Sequence, residues 1–390
     1  MAAMRVAIIT ESFSPDVNGV ANSVARVADH LLARGHEPLV IAPRPAPRAG
    51  RAITEKPYPV VRLGSLPMPG YGNVRLAWPT RRLREALAGH RADVVHLASP
   101  FVLGAWGAKA AADLGIPVVA IYQTDVPGYA RAYGVAPGEA LSWRWIRHVH
   151  GRAAATLAPS STTAAELVAH GVPNVGRWGR GVDAELFHPS RRDESLRAAL
   201  APGGELIVGY VGRLAREKRV DLLARTAALP GVRVVVVGDG PTREAVRRAV
   251  PQADFLGTRR GTDLARLYAS LDVFVHTGPH ETFCQTVQEA QASGVPVVAP
   301  AIGGPLDLVR HGVDGLLVPP NDGAAFAAAV GTLADPAVRR DYGRAARAAV
   351  ASRTWSALGD ELIGHYAAAT ATVRVPGRVP APVAVPVHVP

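Results

Sequence analysis

Short apolar runs alternate with longer amphipathic stretches along most of the chain. Arg5–Thr10 (RVAIIT) reads as a buried first strand. Apolar positions at helical spacing follow from about Val20 to Arg34, and Gly35 closes them. Glu37–Ala42 is a second strand, so the chain opens with a βαβ unit, the start of a doubly wound parallel sheet. Strands at Val60–Leu63, Val94–Leu97, Pro117–Ile121 and Ala153–Ala158 continue the pattern. Helical stretches at Thr80–Ala88, Phe101–Leu114, Ser142–Arg152 and Ser160–His170 lie between them. Pro43–Lys56 and Leu66–Asn73 read as irregular loops.

A second alternation starts at Leu206. Strands are expected at 206–211, Arg233–Val237, Asp254–Leu256, Asp272–His276, Val295–Ala299 and Gly315–Val318. Helices are expected at Glu217–Leu229, Arg243–Val250, Asp263–Ser270 and Glu281–Ala292. Ala324–Ala351 is Ala-rich helix broken at Pro336, and Thr354–Ala368 is a last helix with apolar Trp355, Leu358, Leu362 and Tyr366. Thr370–Pro390 has Val and Pro but no helical period, and reads as a disordered tail. The chain therefore divides into residues 1–188 and 189–353, each a parallel α/β unit, followed by helix 354–369 and tail 370–390.

Composition changes this picture in three ways. At 390 residues with 48% hydrophobic content, both units can bury a core. The single cysteine, Cys284, excludes an internal disulfide and fits a reducing compartment. No apolar run reaches the ~18 residues of a spanning helix, and no signal peptide precedes the first strand. The net charge of +11 points to an anionic partner, although Arg-for-Lys and Ala enrichment also marks a high-GC composition.

The chemistry concentrates in His276–Gly304, HTGPHETFCQTVQEAQASGVPVVAPAIGG. With a helix from Glu281, Glu281 and Glu289 stand about 2.2 turns and 12 Å apart along one face, a spacing for a long ligand gripped at two places. The N-terminus of that helix would seat a phosphate. Gly303 and Gly304 follow the next strand at the same sheet edge, where ligands of open α/β sheets bind. Alone, such a pair reads more readily as two solvated acids on a surface helix. Upstream, VGRLAREK places Gly212, Arg213 and Lys218 just after a strand, two cations suited to phosphate oxygens. Neither unit has G-x-G-x-x-G after its first strand, and there is no P-loop. No suitably placed Asp-x-Asp and no Cys/His cluster is present, so no metal and no cofactor are expected.

The G-R-x-x-x-x-K element and E-x7-E together resemble the retaining glycosyltransferases of family 4. The resemblance runs from about Met4 to Tyr366 and includes AIITESFSPDVNGVANSV, DVVHLASP, YQTDVPGYARAYG, RGVD and HETFCQTVQEA. It is greatest to the actinobacterial GDP-mannose-dependent α-mannosyltransferases that act on lipid-linked glycans. It implies the GT-B fold: two Rossmann-like doubly wound domains facing a cleft, the first on the acceptor side, the second binding the nucleotide sugar, and the last helix returning to the first. It implies catalytic roles for Arg213, Lys218 and Glu281. It implies donor contacts from Gly19, Gln123, Asp125, Leu256, Gly257, Phe283, Cys284 and Glu289. Gln123 stands where many relatives have histidine, which removes that residue as an acid or base but fits a front-face route in which the leaving phosphate takes the acceptor proton.

The leading expectation is a mannosyltransferase using GDP-mannose and a lipid-linked acceptor such as a phosphatidylinositol mannoside or glycolipid. The alternative is a UDP-sugar-dependent transferase on a soluble acceptor. A nucleotide-sugar-binding protein without catalysis would lack one of Arg213, Lys218 and the paired acids, and all are present. No aromatic-interleaved basic platform points to nucleic acid. Residues 1–188 carry a surplus of seven bases and the remainder four, and the helix at Ser142–Arg152 (SWRWIRHVHGR) combines Trp with Arg. This predicts a cytoplasmic protein with a peripheral contact on an anionic inner membrane face, though Trp143 and Ile146 also stand at core spacing.

Overall fold

The protein is described by a computed structural model covering residues 2–16, 18–45, 55–68, 71–77, 80–128 and 136–373. It divides into two compact units, residues 1–179 with 358–390, and residues 180–357. The first holds β1 (Arg5–Ile9), β2 (Glu37–Pro43), β3 (Val60–Leu63), β4 (Ser65–Met68), β5 (Tyr71–Ala77), β6 (Val94–Leu97), β7 (Val118–Ile121), β8 (Ala155–Ala158) and β9 (Val175–Arg177). Seven of these form one sheet in the order β3-β2-β1-β6-β7-β8-β9, with every pairing parallel. The second holds β10 (Leu206–Val211), β11 (Val232–Val237), β12 (Asp254–Gly257), β13 (Val273–Val275), β14 (Val297–Pro300) and β15 (Gly315–Val318). Their order, β12-β11-β10-β13-β14-β15, is doubly wound and again parallel throughout.

Parallel strands are covered on both faces, so they read as continuous apolar runs. β6, β7 and β14 are buried at every position, and β10 at all but its first. The helices instead bury one stripe. Gly19–Ala33 turns Ala21, Val24, Val27, Ala28 and Leu31 inward, and the Asn18 side chain caps it by accepting from the Ala21 amide at 2.9 Å. The last helix, Trp355–Val373, buries Leu362, Ile363 and Tyr366 in the core of the first unit. Each such side chain contributes about 1.5–3 kcal/mol of burial. The Trp178 indole N–H fixes the start of that packing by donating to the Leu358 carbonyl at 2.7 Å.

Both halves are Rossmann-like, as expected, but several local expectations are corrected. The division falls at Gly179–Arg180, not at residue 188. The 182–187 segment is tied to the second unit: the Val182 amide donates to the Arg353 carbonyl at 2.8 Å, and Arg347 donates to the carbonyls of Ala184 and Phe187, each at 3.0 Å. The segment read as a loop from Leu66 is largely the antiparallel hairpin β4–β5. The helix expected at Glu217–Leu229 is two short 3₁₀ turns, Arg216–Lys218 and Val220–Leu222, and one helix, Leu223–Ala227, because Arg219 is left-handed (φ 48°). Helix extends through Val373, so the tail starts later than Thr370, and 374–390 lies outside the described residues.

Candidate active site

In a doubly wound sheet the loops after the two central strands diverge to opposite faces and leave an opening between them. In the second unit those strands are β10 and β13. The loop after β10 carries Arg213 and Lys218, and the loop after β13 carries His276 to Cys284. The fold therefore brings the two sequence motifs to one sheet edge.

Their meeting point is Glu281. The Lys218 ammonium donates to its Oε1, and the His276 Nε2 stands 3.4 Å from the same oxygen. Burial alone would push the Glu281 carboxyl up, but Lys218, His276 and Arg180 outweigh it and hold it below the ordinary value. Burial lowers the Arg180 guanidinium to about 10 against the opposing pull of Glu281, so Arg180 stays cationic. Burial pulls the His276 imidazole down to about 4, so it is neutral at physiological pH. Arg213 is exposed, and its guanidinium has no protein partner among the described residues.

Glu281 is not on a helix. Residues 281–284 form a bend, and the helix is Gln285–Ala292, with left-handed Cys284 (φ 80°) as its N-cap. The expected one-face geometry of Glu281 and Glu289 is thereby corrected: one acid lies in the loop, the other on the helix. The loop rests on Gly303 and Gly304. The Gly304 amide donates to the Glu281 carbonyl at 2.8 Å. A Cβ on Gly303 would stand 2.7 Å from that carbonyl oxygen, and one on Gly304 2.3 Å from the Phe283 carbonyl oxygen, so neither position accepts a side chain without displacing the loop. The two acids sit in contrasting surroundings. Burial raises the Glu289 carboxyl to about 7, opposed by Tyr268, while Glu281 stays ionised.

The distribution of these groups already suits a ligand with an anionic end and a hydroxyl-rich end. The sequence supplies the family. Residues 17–186 match the profile of Glycosyltransferase Family 4, and residues 205–335 that of Glycosyl transferases group 1. A GDP-mannose-dependent alpha-mannosyltransferase of Mycolicibacterium smegmatis is 52% identical over 370 residues, covering 94% of this chain and 97% of that one. The protein of the same name from Mycobacterium tuberculosis is 50% identical over 372 residues, with the same coverage. The chain belongs to glycosyltransferase family 4. Sulfoquinovosyl transferase SQD2 of Arabidopsis thaliana is a more distant relative, 33% identical over 371 residues, 90% of this chain and 71% of that one. Sucrose-phosphate synthase from Thermosynechococcus elongatus shares the fold, with a TM-score of 0.78 at 24% identity, covering 95% of this chain and 100% of that one. Anabaena HepE, solved with UDP and glucose, gives 0.74 at 22%, covering 93% and 99%.

In this family 4 glycosyltransferase the remaining predicted residues fall at two sheet edges. Phe283 and Cys284 are buried beside Glu281, and burial pushes the Cys284 thiol well above its ordinary value, which makes it an inert wall. Leu256 and Gly257 end β12, where the Gly257 carbonyl accepts from the Gly238 amide at 2.9 Å. Gly19, Gln123 and Asp125 belong to the first unit. Gly19 opens the helix after β1. Gln123 follows β7 and donates to the Ala98 carbonyl at 3.0 Å. Asp125 accepts from the Gly128 amide at 2.8 Å, so it serves as a turn cap. Part of the stretch YQTDVPGYARAYG, residues 129–134, lies outside the described residues.

Three site residues were not assigned roles from sequence: Arg180, His276 and Thr277. A polar His-Thr pair at the end of an apolar strand was the available signal. Ligand atoms of His276, Glu281 and Cys284 also lie within 4.8 Å of one another, a metal-ligand trio among the described residues. The Lys218 ammonium on the carboxylate and the raised thiol make that set a poor cation site.

Proposed function

We propose that the protein is a retaining α-mannosyltransferase that moves mannose from GDP-mannose to a lipid-linked glycan acceptor. The observation that carries the reading is two cations, Lys218 and Arg180, at one ionised carboxylate at the switch point of the second sheet, with exposed Arg213 on the same loop as Lys218. The relatives named above, alike over almost their whole length, support GDP-mannose as donor. Arg213 and Lys218 take the diphosphate, Glu281 takes a hydroxyl of the mannose, and Glu289 takes the ribose hydroxyls. The Phe283 and Cys284 backbone lines the sugar, and Leu256 and Gly257 flank the base. Gly19, Gln123 and Asp125 serve from the first unit.

As the bond from mannose C1 to the diphosphate oxygen breaks, charge grows on that oxygen. Cations already in place stabilise it more than they stabilise the bound donor. The acceptor oxygen bonds to C1 on the same face, and its proton passes to the leaving phosphate oxygen. No protein carboxylate is then needed as nucleophile.

A surface of the first unit supports a membrane-borne acceptor. On the Ala136–His150 helix, Trp143 and Ile146 are buried, while Leu141 (62% exposed), Arg144, Trp145 (42%) and Arg147 are exposed, the Trp145 indole N–H donating to the Pro100 carbonyl at 2.6 Å and Arg147 to the His170 carbonyl at 3.1 Å. Trp106 (44% exposed) adds an indole from the Val102–Asp113 helix packed against it. Exposed Trp and Leu flanked by arginines match an anionic lipid surface. No helix of the described residues is long and apolar enough to cross a membrane.

The test is a donor screen with GDP-mannose, UDP-glucose and UDP-N-acetylglucosamine against a mannosylated lipid acceptor. Turnover with GDP-mannose alone, giving an α-linked product, is the expected result. Turnover with a UDP-sugar and none with GDP-mannose overturns the reading.

A further inference from the structure

We propose that Thr277 and His276 are positioning residues for the Lys218–Glu281 pair, each holding one partner. The inference rests on the reading that Lys218 and Glu281 serve the donor. Thr277 is fully buried, and its hydroxyl donates to the Lys218 carbonyl at 2.7 Å. That carbonyl ends the 3₁₀ turn Arg216–Lys218, and the next residue, Arg219, is left-handed (φ 48°, ψ 41°). A non-glycine residue holds that conformation only where its surroundings enforce it. The Arg219 side chain is itself fixed, to Asp221 at 3.1 and 3.2 Å and to Asn321 at 2.6 Å. The Lys218 backbone is thus held from both sides. The next residue along from Thr277 presses on the same place: a Cβ at Gly278 would stand 3.3 Å from the Lys218 Cα. A long, flexible lysine side chain gains direction when its backbone cannot turn.

His276 holds the other partner. Its Nε2 lies 3.1 Å from the Gly278 carbonyl oxygen and 3.4 Å from Glu281 Oε1. Both neighbours are acceptors, so Nε2 carries the hydrogen, and Nδ1, buried without a partner among the described residues, is the bare nitrogen. When the donor arrives, the ammonium must turn to the diphosphate and Glu281 must turn to a sugar hydroxyl. A neutral N–H left beside the carboxylate then keeps it oriented. A full positive charge there would compete with the sugar hydroxyl instead.

The experiment measures kcat, donor KM and Tm for Thr277→Val, Thr277→Ser, His276→Leu and His276→Gln, with Lys218→Ala alongside. Misplacement of a reacting group by about 1 Å costs roughly a hundredfold, so kcat of Thr277→Val is expected to fall by about that factor with donor KM little changed. Thr277→Ser, which restores the hydroxyl, is expected to regain most of the rate, and His276→Gln, which keeps a donor near the Nε2 position, to exceed His276→Leu. His276→Gln is expected to leave the shape of the kcat–pH profile between pH 5.5 and 9 unchanged, because the imidazole does not titrate there. Wild-type kcat in Thr277→Val with an inactive Lys218→Ala overturns the positioning role and leaves the donor reading standing. Wild-type turnover in Lys218→Ala overturns the donor reading, and this inference with it. Loss of a pH limb in His276→Gln, or failure of Thr277→Ser to regain rate while its Tm is normal, also contradicts the proposal.

Discussion

Lys218 and Glu281, 63 residues apart in sequence, form an ion pair in which the side chains are only 16% and 19% exposed. A pair so far out of water is costly to break by removing one member, because the other is left charged and unpaired. On the proposed reading, the donor replaces both halves of the pair: a phosphate for the carboxylate, a sugar hydroxyl for the ammonium. The unliganded protein thus keeps the Lys218 ammonium and the Glu281 carboxylate matched to each other.

The carboxyl of Glu289 gives a pH prediction. Burial raises it from an ordinary 4.5 to about 7, with Tyr268 opposing. A carboxylate accepts hydrogen bonds from ribose hydroxyls better than its protonated form, so donor affinity should rise as pH climbs through about 7. Glu289→Gln is expected to flatten that dependence. Calorimetric Kd values for GDP between pH 5.5 and 8.5 measure it, and an equally steep dependence in the variant refutes the assignment.

Glu11, raised in the same direction, gives a stability prediction of the opposite pH dependence. It is buried, its Oε1 accepts from the Gly104 amide at 3.1 Å, and its Oε2 has no partner among the described residues. Burial raises this carboxyl too, from 4.5 to about 7. Its folded value lies above its unfolded one, so its stabilising contribution is complete below about pH 4.5 and is lost as pH rises through about 7. Glu11→Gln, uncharged and of the same size, should show a smaller fall in Tm between pH 5 and 8 than the wild type. An identical fall in both proteins would place the pH sensitivity elsewhere.

The parallel strands and the two halves were legible because parallel strands buried on both faces give apolar runs such as LIVGYV and the VVVV that ends β11. The motifs that carry Lys218, Arg213 and Glu281 were legible through their spacing. What spacing could not give was the bend at 281–284. ETFCQTVQEA has helical periodicity, but Gly303 and Gly304 hold the first turn as a loop, and those contacts are tertiary. Arg180 stands in RGVD, a stretch the resemblance includes, but its electrostatic pull on Glu281 across 101 residues of chain is tertiary. β9 is three residues long, Val-Gly-Arg, with no apolar run to mark it.

Side-chain cations in place of an Asp-x-Asp predict that activity survives excess chelator. Turnover measured with GDP-mannose in EDTA should match that without it. Complete loss, restored by magnesium or manganese, would assign the diphosphate to a metal ion.

The outward face at Leu141, Arg144, Trp145 and Arg147 predicts binding to anionic vesicles but not to neutral ones. Each basic residue at such a surface contributes ~1 kcal/mol, so a few give reversible docking that salt releases. Reversing charge at Arg144 and Arg147 should weaken co-sedimentation and leave GDP affinity unchanged. Wild-type protein that stays in the supernatant with anionic vesicles at low salt would contradict the lipid-surface reading and favour a soluble acceptor.

On the proposed reading, the Lys218 cation acts on the departing diphosphate. The most direct measurement pairs kcat of Lys218→Ala on GDP-mannose with its Kd for GDP. Loss of one preorganised group aimed at transition-state charge costs about a hundred- to a thousandfold in kcat. A fall of that size is expected, with GDP affinity reduced far less. Turnover at the wild-type rate, or a loss of GDP affinity as large as the loss of rate, would contradict it.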